Sequence, residues 1–516
     1  MEKATDPRPV LVKIFYGGAL ALLGWFFLSG IAAIGRKSPL PLLTALGFLA
    51  LLLGAVWMTE RLREKITPRV FFLLCLGAAA ALGTAQLFAA KQLLVRPGWD
   101  FGAVHQSAME YALHGRIITH EHYFERFSNN TGLLVWEIAA YRLLAMLGLS
   151  SDQLFLAAGI AMNLCAIDLA ILFTVLFAGR VWGRARGVQA LFLCMLFTPY
   201  VLYAPIFYTD SMSLPFTALP LYLFARYNDA KSPAARTALC GSIGLLLAFG
   251  TKVKGNIAVL LVAFCLYAAF NFGWKRFAAF LLAAWLPFFG FSALFDSQVK
   301  RMGLIHEENL ERIQFPTEYW FYMGLKDAGG FNQEDFEFMY GQPNRTQRQR
   351  RGRAGIARRL AEMGPAGMAR HLTKKSAYTF GDGSYFLRVQ LNREAYGDTW
   401  LRRAVNSRTY LALADGFHVC LLLLLLFGLG AGLWGPGRFD YPTLLYVALF
   451  GLALFLMMWE TRSRYLLNFS PLMLLAADHA LDQLRRLRSR VRRRPSVPRR
   501  GENTKFETQE ELILFT

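Results

Sequence analysis

The feature that most constrains this chain is the blocking of its apolar residues into runs of roughly 18–25 positions, the length of helix that crosses a bilayer's hydrocarbon core of ~30 Å. In lipid every backbone N–H and C=O must be satisfied within the protein, so runs of this length fold as helices. Such runs recur through the 516 residues, and we read about twelve spans, at roughly 14–35, 39–59, 70–94, 153–179, 187–206, 212–227, 237–251, 256–273, 277–296, 412–434, 441–459 and 465–482. With 55% hydrophobic and 18% charged residues, and 43 phenylalanines, the chain has too little charge for a soluble surface and too much apolar side chain for disorder. The fold class is an all-α polytopic membrane protein. Collagen, coiled coil, zinc ribbon and secreted disulfide scaffold are excluded. The six cysteines lie in or beside apolar runs without a CxxC pair, and read as small hydrophobes. The first apolar run is long, lacks a cleavage site and is followed by another, so we read it as a retained span.

Basic residues orient the spans. Arg61, Arg63, Lys65 and Arg69, then Arg180, Arg184 and Arg186, then Lys231 and Arg236, then Lys275 and Arg276 all fall in short loops on one side of the bundle. By the positive-inside rule that side is cytoplasmic, and both termini lie there. The net charge of +21 is explained by these loops and the basic tail, so nucleic acid is not an expected partner. Two long polar segments, 95–152 and 297–411, then lie outside. Leu133 to Leu149 is apolar, but Glu137 and Arg142 interrupt it, and counting it as a span would reverse every later loop; we read an amphipathic interfacial helix. The second segment is too long for a simple loop, and is expected to form helices packed on the membrane domain. Its basic run, Arg345 to Arg359, is either a solvated helix face or a docking surface for an anionic polymer or lipid head group. The expected organisation is an N-terminal two-helix addition (1–69), a transmembrane catalytic core (70–296) including the outer loop 95–152, an extracytoplasmic segment (297–411), C-terminal transmembrane helices (412–482) and a basic, largely disordered tail (483–516).

Ionisable residues at the outer ends of spans carry the chemistry, because charge there is costly unless it meets water or works. Asp100 follows a Pro97-Gly98 break and Trp99, and is placed to accept a proton from a hydroxyl; capping the next helix is the plainer reading. His120 and His122 stand beside acids, but not at a zinc-motif spacing, and no metal ligand set is assigned. Asn129 and Asn130 offer amides suited to sugar hydroxyls or phosphate, or else form a turn. Asp210, in Tyr208-Thr209-Asp210-Ser211, is a second carboxylate: it faces Asp100, neutralises a cation, or is a solvated turn residue. Lys252 and Lys254 put positive charge outside against the general trend, as do Arg462 and Arg464, with Glu460 placed to orient an arginine. Ammonium and guanidinium groups at this level hold a phosphate; snorkelling is the alternative for the lysines.

These stretches resemble the GT-C superfamily of polyprenyl-phosphate-sugar glycosyltransferases, the group with the protein O-mannosyltransferases and the aminoarabinose transferase of lipid A. The likeness rests on Trp99-Asp100 opening the first outer loop, Tyr123-Phe124 through Asn129-Asn130, Tyr208-Thr209-Asp210, Lys252 to Gly255, and Glu460 to Tyr465. Pro316 to Trp320, Met323 to Leu325, Gly330 to Asn332 and Gly381 to Tyr385 are similar to integral membrane glycosyltransferase-like proteins of Gram-positive bacteria. The resemblance implies a sugar donor linked to polyprenyl phosphate, an acceptor hydroxyl on a cell-envelope polymer or protein, and transfer with inversion in the cell membrane. It implies Asp100 as general base, Asp210 as second acid, and Lys252, Lys254, Arg462 and Arg464 on the leaving phosphate, with Tyr123, Asn129, Asn130 and Glu460 lining the substrate. A divalent cation is possible but not indicated. The competing readings are a transporter or flippase of a lipid-linked or anionic substrate, using Asn163 and Asp168 within a span, and a non-catalytic envelope-assembly subunit.

Overall fold

A computed structural model describes residues 6–492. The helices that frame the molecule are α1 (Arg8–Lys37), α2 (Leu40–Arg61), α3 (Pro68–Gln92), α4 (Trp99–His114), α5 (Thr131–Met146), α6 (Asp152–Trp182), α7 (Arg184–Leu196), α8 (Pro215–Asp229), α9 (Pro233–Val253), α10 (Ala258–Asn271), α11 (Trp274–Arg301), α12 (Arg345–Phe380), α13 (Leu387–Arg393), α14 (Arg408–Leu433), α15 (Tyr441–Met458) and α16 (Ser470–Arg492). Among the described residues there is no strand, only an isolated antiparallel bridge between Val95 and Ala395. The expected tail lies, beyond residue 492, outside the described residues.

Among the described residues, eight helices are long and apolar enough to cross a membrane: α1, α2, α3, α6, α9, α11, α14 and α15. The other four expected spans correspond to α7, α8, α10 and α16, which are shorter or more polar. The stretch 187–206 is divided because α7 stops at Leu196 and a separate turn of helix, Pro199–Leu202, starts at a proline.

Contacts between connecting loops sort them onto two faces. On one, Arg8 donates to Phe270 O, Asn271 to Phe439 O, Arg184 to Ile66 O, Arg180 pairs with Asp229, and Arg485 with Glu60. On the other lie 93–151, the turn before Asp210, the α9–α10 turn, 302–407 and the turn after α15. The chain therefore alternates direction as the loop charges required. α1 and α2 pack against α12 and α14, so the N-terminal pair is built into the C-terminal part of the bundle. Phe26, Phe27 and Ile34 of α1 are buried there.

The segment after α11 forms helices with a small core of their own, Phe315, Tyr319, Tyr322, Met323 and Met339, and α12 then runs down along α1. Its basic run is divided: Arg350, Arg351, Arg353 and Arg358 are exposed, while Arg348 and Arg359 brace the segment from within. Buried Arg348 donates to the carbonyls of Met339, Arg312 and Gln342. Arg359 pairs with Asp335 while its guanidinium covers the Tyr322 ring, and Arg353 pairs with Glu318. The apolar stretch 133–149 is the helix α5, but Glu137 is not on a water-facing side. It is completely buried, 4.0 Å from His105 of α4.

Candidate active site

The site is assembled from turns at the ends of α3, α9 and α15, the short helix Thr209–Met212, and α13. Pro97 and Gly98 end the connection from α3, and Trp99 starts α4 with φ +53°, a left-handed conformation costly for a bulky residue. Asp100 follows in the first turn of α4 and is exposed. Tyr123 donates to Asp100 Oδ1 at 2.7 Å, and Asn130 Nδ2 donates to the Tyr123 hydroxyl at 2.6 Å. Tyr208 donates to Asn130 Oδ1 at 3.3 Å, completing a polar chain from the exposed carboxylate to the buried interior. Asn130 is the member of the Asn pair that joins this chain; Asn129 is exposed and donates to Asn130.

Asp210 is 1% exposed. Lys254 donates to its Oδ1, and Arg464 Nη1 lies 3.5 Å from its Oδ2. Of the roles open to it in sequence, this geometry is that of neutralising cations. Burial pulls the Lys254 ammonium below its ordinary pKa against the opposing charge of Asp210. Glu460 is also buried, with Arg462 Nε 3.7 Å away and the Tyr465 hydroxyl donating at 3.1 Å. Burial raises its pKa, the nearby arginines oppose the rise, and the charge of Asp100 adds to it.

The arginines are held over aromatic rings. Arg462 lies 4.8 Å from the Phe386 ring centre, and Arg464 lies 5.5 Å from that of Tyr208 and 5.2 Å from that of Tyr465. Phe386 and Tyr385 are both left-handed, at φ +65° and +54°, and their loop is fixed by Asp382, which accepts from Ser384, the Phe386 amide and Ser463. Two glycines set the approach of these loops. A Cβ on Gly132 would overlap the Lys252 backbone, and one on Gly324 would overlap the carbonyls of Met458 and Trp459.

Lys252 is placed elsewhere. Its ammonium sits on Asp296 at 2.6 and 2.8 Å, whereas Lys254 turns into the site. The histidines are also separated. His120 meets the Tyr123 ring edge-on, while His122 and His306 both bond to buried Glu125, tying the first loop to the second segment. No group of three or more His, Cys, Asp or Glu with metal-binding geometry occurs among the described residues. Asn163 donates to the carbonyls of Tyr203 and Ala204, and Asp168 accepts from Gln86, so both polar groups inside α6 serve as interhelical ties.

Sequence reading missed Arg393. It is carried to the site by the Val95–Ala395 bridge, and its guanidinium lies over the Trp99 ring. Burial, then the charges of Arg464 and Arg462, push its pKa down to about 10. Its Nε and Nη2 atoms are buried without a hydrogen-bond partner.

No curated protein matches the chain significantly. Among solved structures it is similar to the archaeal oligosaccharyltransferase AglB from Archaeoglobus fulgidus in complex with an inhibitory peptide and a dolichol-phosphate, with 14% identity over 84% of this chain and 52% of that one, at a TM-score of 0.42. The apo form of the Archaeoglobus fulgidus oligosaccharyltransferase gives 13%, 82%, 52% and 0.43. ArnT from Cupriavidus metallidurans bound to undecaprenyl phosphate gives 11% identity, 81% and 78% coverage, and 0.34. The chain thus spans about half the length of the oligosaccharyltransferases it matches. The family model described as "Conserved hypothetical integral membrane protein" matches residues 34–484, and the chain belongs to that family.

Proposed function

We propose that this membrane protein is a GT-C-type glycosyltransferase that moves a sugar from a polyprenyl-phosphate donor to an extracytoplasmic acceptor hydroxyl. One observation carries the reading: an exposed carboxylate, Asp100, is held by Tyr123 at the rim of a nest containing Lys254, Arg393, Arg462 and Arg464. In the proposed reaction the acceptor hydroxyl loses its proton to Asp100 as its oxygen attacks the anomeric carbon. The bond from that carbon to the lipid phosphate breaks, and its electron pair stays on the phosphate oxygen. Attack from the face opposite the phosphate inverts the centre. Arg462 and Arg464 stabilise the charge that develops on the leaving phosphate, with Lys254 behind them. Asp210 holds Lys254 and Arg464 in place.

In this proposal the site face is extracytoplasmic and both termini are cytoplasmic. In a cysteine-free background, Ala361→Cys should react with an impermeant thiol reagent in intact cells, and Lys231→Cys only after lysis. The reverse pattern would overturn the orientation. The function is tested with protein in liposomes supplied with undecaprenyl-phosphate [14C]hexose and an envelope extract. Radiolabel in a new glycosidic bond, lost in Asp100→Asn, is the expected result. Label carried across the bilayer with no new bond would make the protein a transporter.

A further inference from the structure

Tyr123 reaches Asp100 from a single turn of helix, Tyr123–Arg126. One turn does not hold its own shape: it fixes several dihedral angles for one hydrogen bond, so its position is set by what anchors it. Two of its side chains are completely buried. Phe124 fills the apolar core, and Glu125 faces the start of the helix Glu307–Ile313. Glu125 Oε1 accepts from the His306 backbone N–H at 3.1 Å, from His306 Nδ1 at 2.9 Å and from the Asn309 amide at 3.1 Å. Its Oε2 accepts from His122 Nδ1 at 2.8 Å. Burial works against the ionised carboxylate, but these donors outweigh it and hold the Glu125 carboxyl below its ordinary pKa. Arg312 in turn donates to Asn309 Oδ1 at 3.1 Å, and the Phe315 N–H donates to Arg126 O at 3.2 Å. Residues 306–315 therefore grip the turn along its length.

We propose that Glu125 is a positioning residue for transfer: gripped by His306 and Asn309, it sets the turn that holds the Tyr123 hydroxyl on Asp100. The role in transfer rests on the transferase reading; the placement of Tyr123 does not. Glu125 touches neither Asp100 nor the cations of the site, so it acts through Tyr123, two residues away on the same turn. The distant segment after α11 thereby takes part in orienting the base without lending it a side chain.

The test places a single 3-fluorotyrosine at position 123 of the full-length protein in nanodiscs and reads its 19F resonance, which needs no turnover. Asp100→Ala removes the acceptor and fixes the resonance of the released ring. Glu125→Ala should move the resonance toward that position, and the Asp100→Ala, Glu125→Ala double variant no further. Glu125→Gln keeps an acceptor oxygen and should stay near the parent position. His306→Ala combined with Asn309→Ala leaves Glu125 itself in place and should displace the resonance in the same direction, which serves if Glu125→Ala does not fold. Lys300→Ala removes only an exposed pair with Glu307 on the gripping helix and should leave the resonance unchanged. A resonance unmoved in every folded variant of Glu125, His306 and Asn309 other than Glu125→Gln would overturn the proposal. In liposomes, Glu125→Ala should lower kcat by the roughly 2–10-fold that loss of one hydrogen bond implies, with donor KM unchanged. In a Tyr123→Phe background it should add less than about twofold, because the two residues act as one unit. Full additivity of the two substitutions would also overturn the proposal, leaving Glu125 as a brace. Displaced resonances in protein whose parent transfers no sugar would overturn the transferase reading while the placement of Tyr123 stands.

Discussion

Asp100 and Asp210 each sit in the first turn of a helix that opens at the same face of the bundle, but their surroundings are opposite. Asp100 is exposed and held by a neutral hydroxyl; Asp210 is 1% exposed and lies between an ammonium and a guanidinium. A carboxylate that is to take a proton from a substrate hydroxyl needs access to it. One that fixes cations needs burial and close partners. Under the proposed reaction the two acids, which the family resemblance implied as base and second acid, divide into a chemical end and an anchoring end.

The largest expected effect tests the chemical end. Asp100→Asn keeps size and the bond from Tyr123 but removes basicity. General-base catalysis contributes ~10²–10⁴-fold, so transfer should fall by about that factor, with thermal stability and donor binding unchanged. Near-normal transfer by well-folded Asp100→Asn protein would move the base elsewhere. At the anchoring end, Asp210→Ala leaves Lys254 and Arg464 buried without their counter-ion, a change that costs about 3–5 kcal/mol. Thermal unfolding in detergent should show a large loss, and a variant as stable as the parent would mean that water, not Asp210, neutralises the cations.

Smaller effects sharpen the boundary between the two ends. Tyr123→Phe removes one hydrogen bond to Asp100, about 0.5–1.5 kcal/mol, and should slow transfer roughly 2–10-fold with little change in stability. A loss as great as that of Asp100→Asn would make the hydroxyl a participant in proton transfer. Lys252→Met should do least. Its pair with Asp296 is partly exposed, so about 0–1 kcal/mol of stability is at stake, and donor KM should stay within about threefold. A KM increase equal to that of Lys254→Met would bring Lys252 back to the phosphate.

Much of the bundle was legible because hydropathy reports length and the basic loops report direction. The site was less so, for local reasons. Lys252 and Lys254 look equivalent in sequence, but Lys252 is still in the last turn of α9, whereas Lys254 is extended at φ −152°, ψ 114°. That change of backbone sends one ammonium to Asp296 and the other to Asp210. Glu137 and Arg142 interrupt the apolar run in an amphipathic, interfacial reading; instead Glu137 is buried near His105, and Arg142 covers the Tyr111 ring. Arg393 left no readable signal. Leu391-Asn392-Arg393-Glu394 resembles the end of any surface helix, and only the distant pairing of residues 95 and 395 brings it beside Trp99.

The Asp210 knot also bears on how the protein is made. Lys254 follows Asp210 by 44 residues, but Arg464 belongs to the turn before the final helix, so translation supplies the second counter-ion only when nearly all of the chain has entered the membrane. Until then the nascent protein holds only the Asp210–Lys254 pair at its future site, without the guanidinium that flanks it in the finished fold. The last turn to be made is therefore the one that completes the charge cluster around Asp210.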